Sequence, residues 1–278
     1  MQGFADDHQL MTSFTMANQM YMLGENITNV LLEVKQWMNV FFLKLNEKKT
    51  KMILFAPKRL RKLLSINGMF IGEKCIRFPN VAYNLGVILD GELSFREQIS
   101  HCVQSCYNTI RQISSVKTFL SADQRKVLVT SLVLSKLDYC NGLLCNVNNS
   151  ELKQLQAVQN CAAKLIFNRR KYDTGLSNLF ISLHWLKVKE RIMYKILLLV
   201  HKCLYCQSPI YLNELLSLTY GFLRTGNLVC VKTKYASSDG AFSICAPKMW
   251  NKLPTDLKFE SSTIQFKRKL KTYLFNYR

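Results

Sequence analysis

The sequence lacks any hydrophobic run of the roughly 18 residues that a membrane-spanning helix needs. Its most apolar stretch, residues 193–206, is interrupted by Lys195, His201 and Lys202. No membrane span is expected. The opening of a secretion signal is also missing. Asp6 and Asp7 stand where a leader would be positive and then apolar, so an intracellular location, nuclear or cytoplasmic, is expected. There is no repeat at solenoid periods and no low-complexity tract. The four histidines, His8, His101, His184 and His201, form no spaced cluster. Neither Gly-x-Ser-x-Gly nor His-Glu-x-x-His occurs, so the common signatures of serine hydrolases and zinc proteases are absent. Cys203 and Cys206 have Cys-x-x-Cys spacing, but no second pair completes a zinc site. Residues 221–227 begin like a phosphate loop and lack the Lys-Ser/Thr that would reach phosphate.

Acidic residues are scarce. Eighteen Asp and Glu face 38 Lys and Arg, a net charge of +20. The imbalance is uneven: residues 1–50 carry −1, and the remaining 228 carry +21. Such a surface attracts polyanions and releases their counterions on binding, which makes nucleic acid the first expected partner, ahead of an anionic membrane surface and of a merely soluble basic protein. The 278 residues amount to about two domains at roughly 150 residues each. The hydrophobic fraction of 49% is ample for a core. Ten cysteines without a leader read as reduced thiols. The sequons at Asn26 and Asn148 are then chance matches.

The pattern changes character near residue 93. Before it, short strand-like pieces surround one helix. Residues 9–16 suggest a strand, and Ile27, Val30, Leu31, Val34, Trp37 and Met38 fall at helical spacing. Residues 51–56 suggest another strand, followed by a basic loop or strand edge with Lys58, Arg59, Arg61 and Lys62. Asn67-Gly68 between apolar residues predicts a hairpin turn, and residues 85–89 a further strand. After residue 93, helical patterns dominate. Ser94 with Glu97, Ser121 with Gln124 and Ser262 with Gln265 are capping-box pairs. The expected inward faces are Ile99, Val103, Cys106, Ile110 and Ile113, then Val127, Leu128, Leu132 and Leu137. Two more are Leu152, Leu155, Val158, Leu165 and Ile166, and Val188, Ile192, Ile196, Leu199 and Val200. The last is Phe266, Leu270, Tyr273 and Leu274. On that final helix Lys267, Arg268, Lys269 and Lys271 lie largely off the apolar stripe. They read equally as a solvated face or as a phosphate-contacting one.

The sharpest constellation is Phe4-Ala5-Asp6-Asp7. Adjacent carboxylates on a tight turn between strands suit a hard divalent cation such as Mg²⁺, although an Asp-Asp pair by itself is common polar surface. Further runs follow in order: Trp37-Met38, Leu43-Lys44-Leu45-Asn46, Lys49-Thr50, Asn84-Leu85-Gly86-Val87, Asp90 and Leu93-Ser94-Phe95. Downstream come Leu137-Asp138-Tyr139-Cys140-Asn141, Leu155-Gln156-Ala157-Val158-Gln159-Asn160 and Leu183-His184-Trp185-Leu186. The last is Ala246-Pro247-Lys248-Met249-Trp250-Asn251-Lys252-Leu253-Pro254. Nearly end to end, this ordered set resembles the reverse transcriptases of non-LTR (LINE-type) retrotransposons, especially jockey-like and CR1-like elements.

The resemblance implies an α+β, mainly helical fold. Residues 1–92 would be a partial polymerase palm of short antiparallel strands plus one helix, 93–170 a helical thumb, and 171–278 a basic helical extension. It implies RNA-directed DNA polymerase as the parent chemistry, with Mg²⁺ as cofactor and an RNA template with a DNA primer as partners. Asp6 and Asp7 would be the metal ligands and Lys49 the basic residue near the leaving pyrophosphate. Leu85, Gly86 and Val87 would grip the primer end. Lys267, Arg268 and Lys271 would touch phosphates, which position the duplex without reading its sequence. The sequence opens three residues before Phe4 and holds no counterpart of the fingers or of the family's other metal-binding Asp. The isolated chain is therefore expected not to polymerise. The alternatives are a catalytically dead nucleic-acid-binding module and a non-functional relic. An incomplete palm also leaves a sheet edge open to self-association. Lys187 departs from the family, whose members often have Pro after His-Trp-Leu.

Overall fold

The computed structural model describes residues 2–4, 7–13, 19–44, 49–64, 68–71, 74–170, 172–233 and 236–276. The chain divides into two units, Met1–Leu93 and Ser94–Arg278. It is mainly helical with a few short antiparallel strands.

Among its described residues, the first unit contains three two-stranded antiparallel hairpins. Strands β1 (Gln2–Phe4) and β2 (Asp7–Gln9) pair with Phe4 opposite Asp7. The long helix α1 (Gln19–Val40) follows and packs against β3, which spans Gly68–Ile71 and pairs with β4 (Lys74–Arg77). Strands β5 (Val81–Asn84) and β6 (Val87–Asp90) form the third hairpin. Several local expectations fail here. Gln9 ends β2, residues 10–13 are irregular and 14–16 lie outside the described residues; residues 51–57 are irregular too, although Ala56 N–H does bond Gly91 O at 3.0 Å. The basic run forms helix α2 (Lys58–Leu64) instead of a loop or strand edge. Gly68 lies within a strand and does not turn a hairpin; a Cβ there would sit 2.6 Å from Ile76 O, so the close backbone approach accounts for the glycine. Asn67 lies outside the described residues. The expected strand 85–89 is split, because Leu85 and Gly86 form a turn. The α1 face is amphipathic yet not buried: Val30 and Trp37 are exposed, and the Trp37 ring meets Phe41 at 4.8 Å.

The second unit is a helical bundle. Helix α3 (Arg96–Ser115) packs on α6 (Asn149–Ile166). Between them, α4 (Ala122–Val129), a π turn (Thr130–Leu134) and α5 (Ser135–Asp138) run consecutively. Ser131 Oγ bonds back to Val127 O at 2.8 Å within this stretch. The π turn inserts an extra residue and rotates the face. Val129, Val133, Leu134 and Leu137 are buried, whereas the expected Val127 and Leu132 are exposed. After α6 come α7 (Leu176–Leu183) and α8 (Val188–Leu204). Short turns α9 (Ile210–Asn213) and α10 (Phe222–Thr225) precede α11 (Phe242–Trp250), α12 (Thr255–Lys258) and α13 (Thr263–Asn276).

Periodicity explains the core. Ile99, Cys106, Ile110 and Ile113 of α3 meet Leu155, Val158 and Ala162 of α6 in one layer. In the other, α8 lies against α11 and α13 and buries Leu197 and Val200 with Trp250, Phe266, Leu270 and Leu274. The fully buried His201 ring stacks on Phe266 at 4.1 Å. The Ser121–Gln124 capping box forms in full. A second complete box, Asn148 with Glu151, starts α6. The expected Ser94–Glu97 box is replaced. Helix α3 starts at Arg96 after Phe95, which takes φ 57° and makes no side-chain cap bond. Ser262 accepts from Gln265 N at 3.4 Å, while its own N–H bonds Glu260 in place of Gln265.

Candidate nucleic-acid interface

Two segments of the first unit reach strand β5, one through Gln9 and one through Lys51. Residues 5 and 6, the centre of the Asp-Asp turn, lie outside the described residues. The flanking strands pair with Phe4 opposite Asp7. The strand leaving that turn reaches β5 directly: Gln9 Nε2 donates to Asn84 Oδ1 at 2.6 Å across 75 residues of sequence. The segment following Lys49 arrives at the same strand, with Lys51 Nζ over the Tyr83 ring at 5.9 Å. Lys49 itself is exposed.

The β5–β6 turn carries the expected grip residues. Leu85 and Gly86 have φ 46° and 77°, so both central residues of the turn are left-handed, as a primed hairpin turn requires. Glycine enters that region freely; leucine there is strained. Both residues are exposed, whereas Val87 is buried beneath them. Only Leu85 and Gly86 are therefore presented outward, and Val87 seats the hairpin.

On α13, Phe266, Leu270 and Leu274 face the core, and Lys267, Arg268 and Lys271 are exposed on the other side. Lys269 pairs with Glu260, and that ammonium, hydrogen-bonded to the carboxylate, holds Glu260 below the usual carboxylate range. Other cations serve the bundle itself. Arg125 donates to Ile166 O and Lys117 O, closing the end of α6. Lys136 Nζ reaches Ser105 and Thr109. Lys258 is buried against Asn227 and the Asn251 carbonyl, and desolvation pushes its ammonium down from the usual lysine range.

Most downstream runs prove to be internal ties. Asp138 accepts a forked pair from Arg191 and a bond from Asn141. Buried Gln159 donates to Leu186 O at 2.8 Å, and Gln156 Oε1 accepts from Val188 N at 2.9 Å. The glutamine run of α6 thereby caps α8, whose N-cap, Lys187, makes no side-chain cap bond. Lys187 has φ −66°, an angle proline also takes. Trp250 Nε1 donates to Gly226 O at 2.8 Å. The Asn251 amide accepts from Leu228 N and donates to Leu228 O, both at 2.8 Å. Gly226, at φ 64°, sits where a Cβ would come 2.9 Å from Lys258 Cβ. These pairings are non-local, and no spacing within the sequence points to them.

Among the described residues, no group of three His, Cys, Asp or Glu converges as a metal site, and no helix is long and apolar enough to cross a membrane. No family model matches the chain, and neither a curated protein nor a solved structure matches it.

Proposed function

We propose that the chain is the part of a non-LTR retrotransposon reverse transcriptase that runs from the Asp-Asp turn onward. Residues 1–92 would be palm, 93–170 thumb and 171–278 a basic extension. The observation that supports this best is the Gln9–Asn84 bond, because it joins the strand after Asp6-Asp7 to the hairpin of Leu85 and Gly86. In a polymerase those two hairpins must lie together, one at the metals and one at the primer end. In a polypeptide that also carries fingers, Asp6 and Asp7 would hold Mg²⁺, which stabilises the attacking and leaving oxygens of nucleotidyl transfer. Lys49 would offset charge developing on pyrophosphate. Leu85 and Gly86 would steady the primer strand, and Lys267, Arg268 and Lys271 would follow the duplex backbone. Each strand of the three hairpins has one hydrogen-bonded neighbour among the described residues, and the open edges would take a further strand from the rest of the palm or from a second copy.

A second reading, nucleic-acid binding without catalysis, is favoured by the exposed basic face of α13. One titration serves both. Binding of the purified chain to an RNA–DNA primer-template is measured by fluorescence anisotropy over a range of salt. The affinity should fall steeply with salt. Replacing Lys267, Arg268 and Lys271 with Ala should flatten the log–log slope by about 2–3, at roughly 0.9 per lost phosphate contact. Binding no stronger than that of a scrambled chain of equal charge would overturn both. The 278 residues alone should give no Mg²⁺-dependent primer extension; extension by them would overturn the assignment of the second metal ligand to residues outside them.

A further inference from the structure

Two thiols 100 residues apart face one backbone oxygen. Cys145 follows a 3₁₀ turn (Asn141–Leu144), and Cys245 lies near the start of α11. Cys145 Sγ is 3.2 Å from Gly240 O, and Cys245 Sγ is 3.8 Å from the same atom. Both S–H groups are therefore aimed at one carbonyl oxygen, which brings the two sulfurs to the same place in the fold. Cys245 is buried and Cys145 half-buried. A Cβ on Gly240 would come 3.2 Å from Asn146 Cβ, so this backbone passes close to the residue that follows Cys145. Nothing in the polymerase reading uses either thiol.

We propose that Cys145 and Cys245 are a redox-active pair that a hydroperoxide converts into an intrachain disulfide. The environment separates their roles. Cys145 is the closer donor to Gly240 O and keeps its proton, whereas Cys245 is the more loosely bonded and stands one helical turn before Lys248. Cys245 is thus the first thiolate and Cys145 the resolving thiol, in line with the lowered Cys245 and raised Cys145 thiols. The Cys245 thiolate attacks one peroxide oxygen; the S–O bond forms, the O–O bond breaks, and hydroxide leaves. The Cys145 sulfur then attacks the sulfenic sulfur. The S–S bond forms, the S–O bond breaks, and the Cys145 proton and the departing oxygen leave as water. Overall two thiols and one hydrogen peroxide give one disulfide and two waters. The bridge ties the turn before α6 to α11.

The test uses the full reduced chain treated with hydrogen peroxide, denatured in alkylating agent and mapped by mass spectrometry after trypsin. A disulfide-linked peptide pair containing Cys145 and Cys245 is expected as the main product. It should be reversed by dithiothreitol and accompanied by faster migration on a non-reducing gel. It should be lost in Cys145→Ser and in Cys245→Ser, and lost when the chain is unfolded in urea before oxidation. Because the map of the parent protein is itself decisive, misfolding of either variant does not blunt the test. Two fully alkylated thiols at these positions, or preferential pairing with other cysteines such as Cys102 or Cys206, would overturn the proposal.

Discussion

Replacing Asn251 with Ala should destabilise the second unit substantially. The Asn251 amide is the partner of both the N–H and the C=O of Leu228, a residue 1% exposed. Alanine leaves both backbone groups buried without that partner. Each orphaned group costs roughly 1–3 kcal/mol, and water entering beside the half-buried Asn251 recovers part of it, so about 3 kcal/mol is expected. For a unit of this size, each kcal/mol moves the melting temperature by about 2–4 °C, which gives a fall of roughly 6–12 °C. Urea titration followed by circular dichroism should show a lower midpoint at an unchanged slope. Asn251→Asp keeps the acceptor, removes the donor and sets a carboxylate against Leu228 O, so it should cost at least as much. Nucleic-acid affinity of the folded variants should stay at the parent value. If both variants unfold within about 0.5 kcal/mol of the parent, the Asn251 amide does not hold the Leu228 backbone in place.

Ser121→Ala removes both bonds of the capping box on α4 and should cost about 1 kcal/mol in the same urea assay, with Gln124→Ala costing less. Asp138→Asn leaves the Arg191 guanidinium, with 19% of its side chain exposed, facing a neutral amide. The expected loss is about 2 kcal/mol, between the values for exposed and buried pairs, and a double-mutant cycle with Arg191→Met should show the coupling. Burial is the main influence lowering His201, against an opposing bond to Glu260 O, and its Nδ1 has no hydrogen-bond partner. The unfolded chain therefore takes up a proton near the ordinary value of 6.5 before the folded chain does. Stability should be level above that pH and decline as pH falls through the lowered folded value. His201→Phe should flatten that part of the urea midpoint-versus-pH curve.

The helices after residue 93 were the most legible part of the sequence. A face such as Ile99, Cys106, Ile110 and Ile113 repeats over several turns, and burial follows the repeat. Where the repeat was interrupted, inference slipped. Val129 is buried in place of Val127 just before the π turn at residues 130–134, the turn itself buries Val133 and Leu134 in place of Leu132, and no local composition announces an inserted residue. The strands of the first unit were least legible. Four-residue apolar runs such as Met52 to Phe55 fit strand, loop or helix equally, and pairing partners decide among them. The candidate site divides the same way. Its residue types and order could be read along the chain. The meeting of Gln9 with Asn84, and the burial of Val87 under its own turn, are products of tertiary folding.

The glutamine run of α6 also has a consequence for how the second unit can be divided. A polypeptide cut after Arg170 would keep Gln159 on the inner face of α6 while losing Leu186, the acceptor of its amide. The complementary piece would begin α8 with Val188 N–H unmatched by Gln156. Neither half would be self-sufficient, so the helices before and after residue 170 should unfold in one transition. A protease nicking the connection between α6 and α7 should release no stable fragment; the severed halves should remain associated until denaturant separates them.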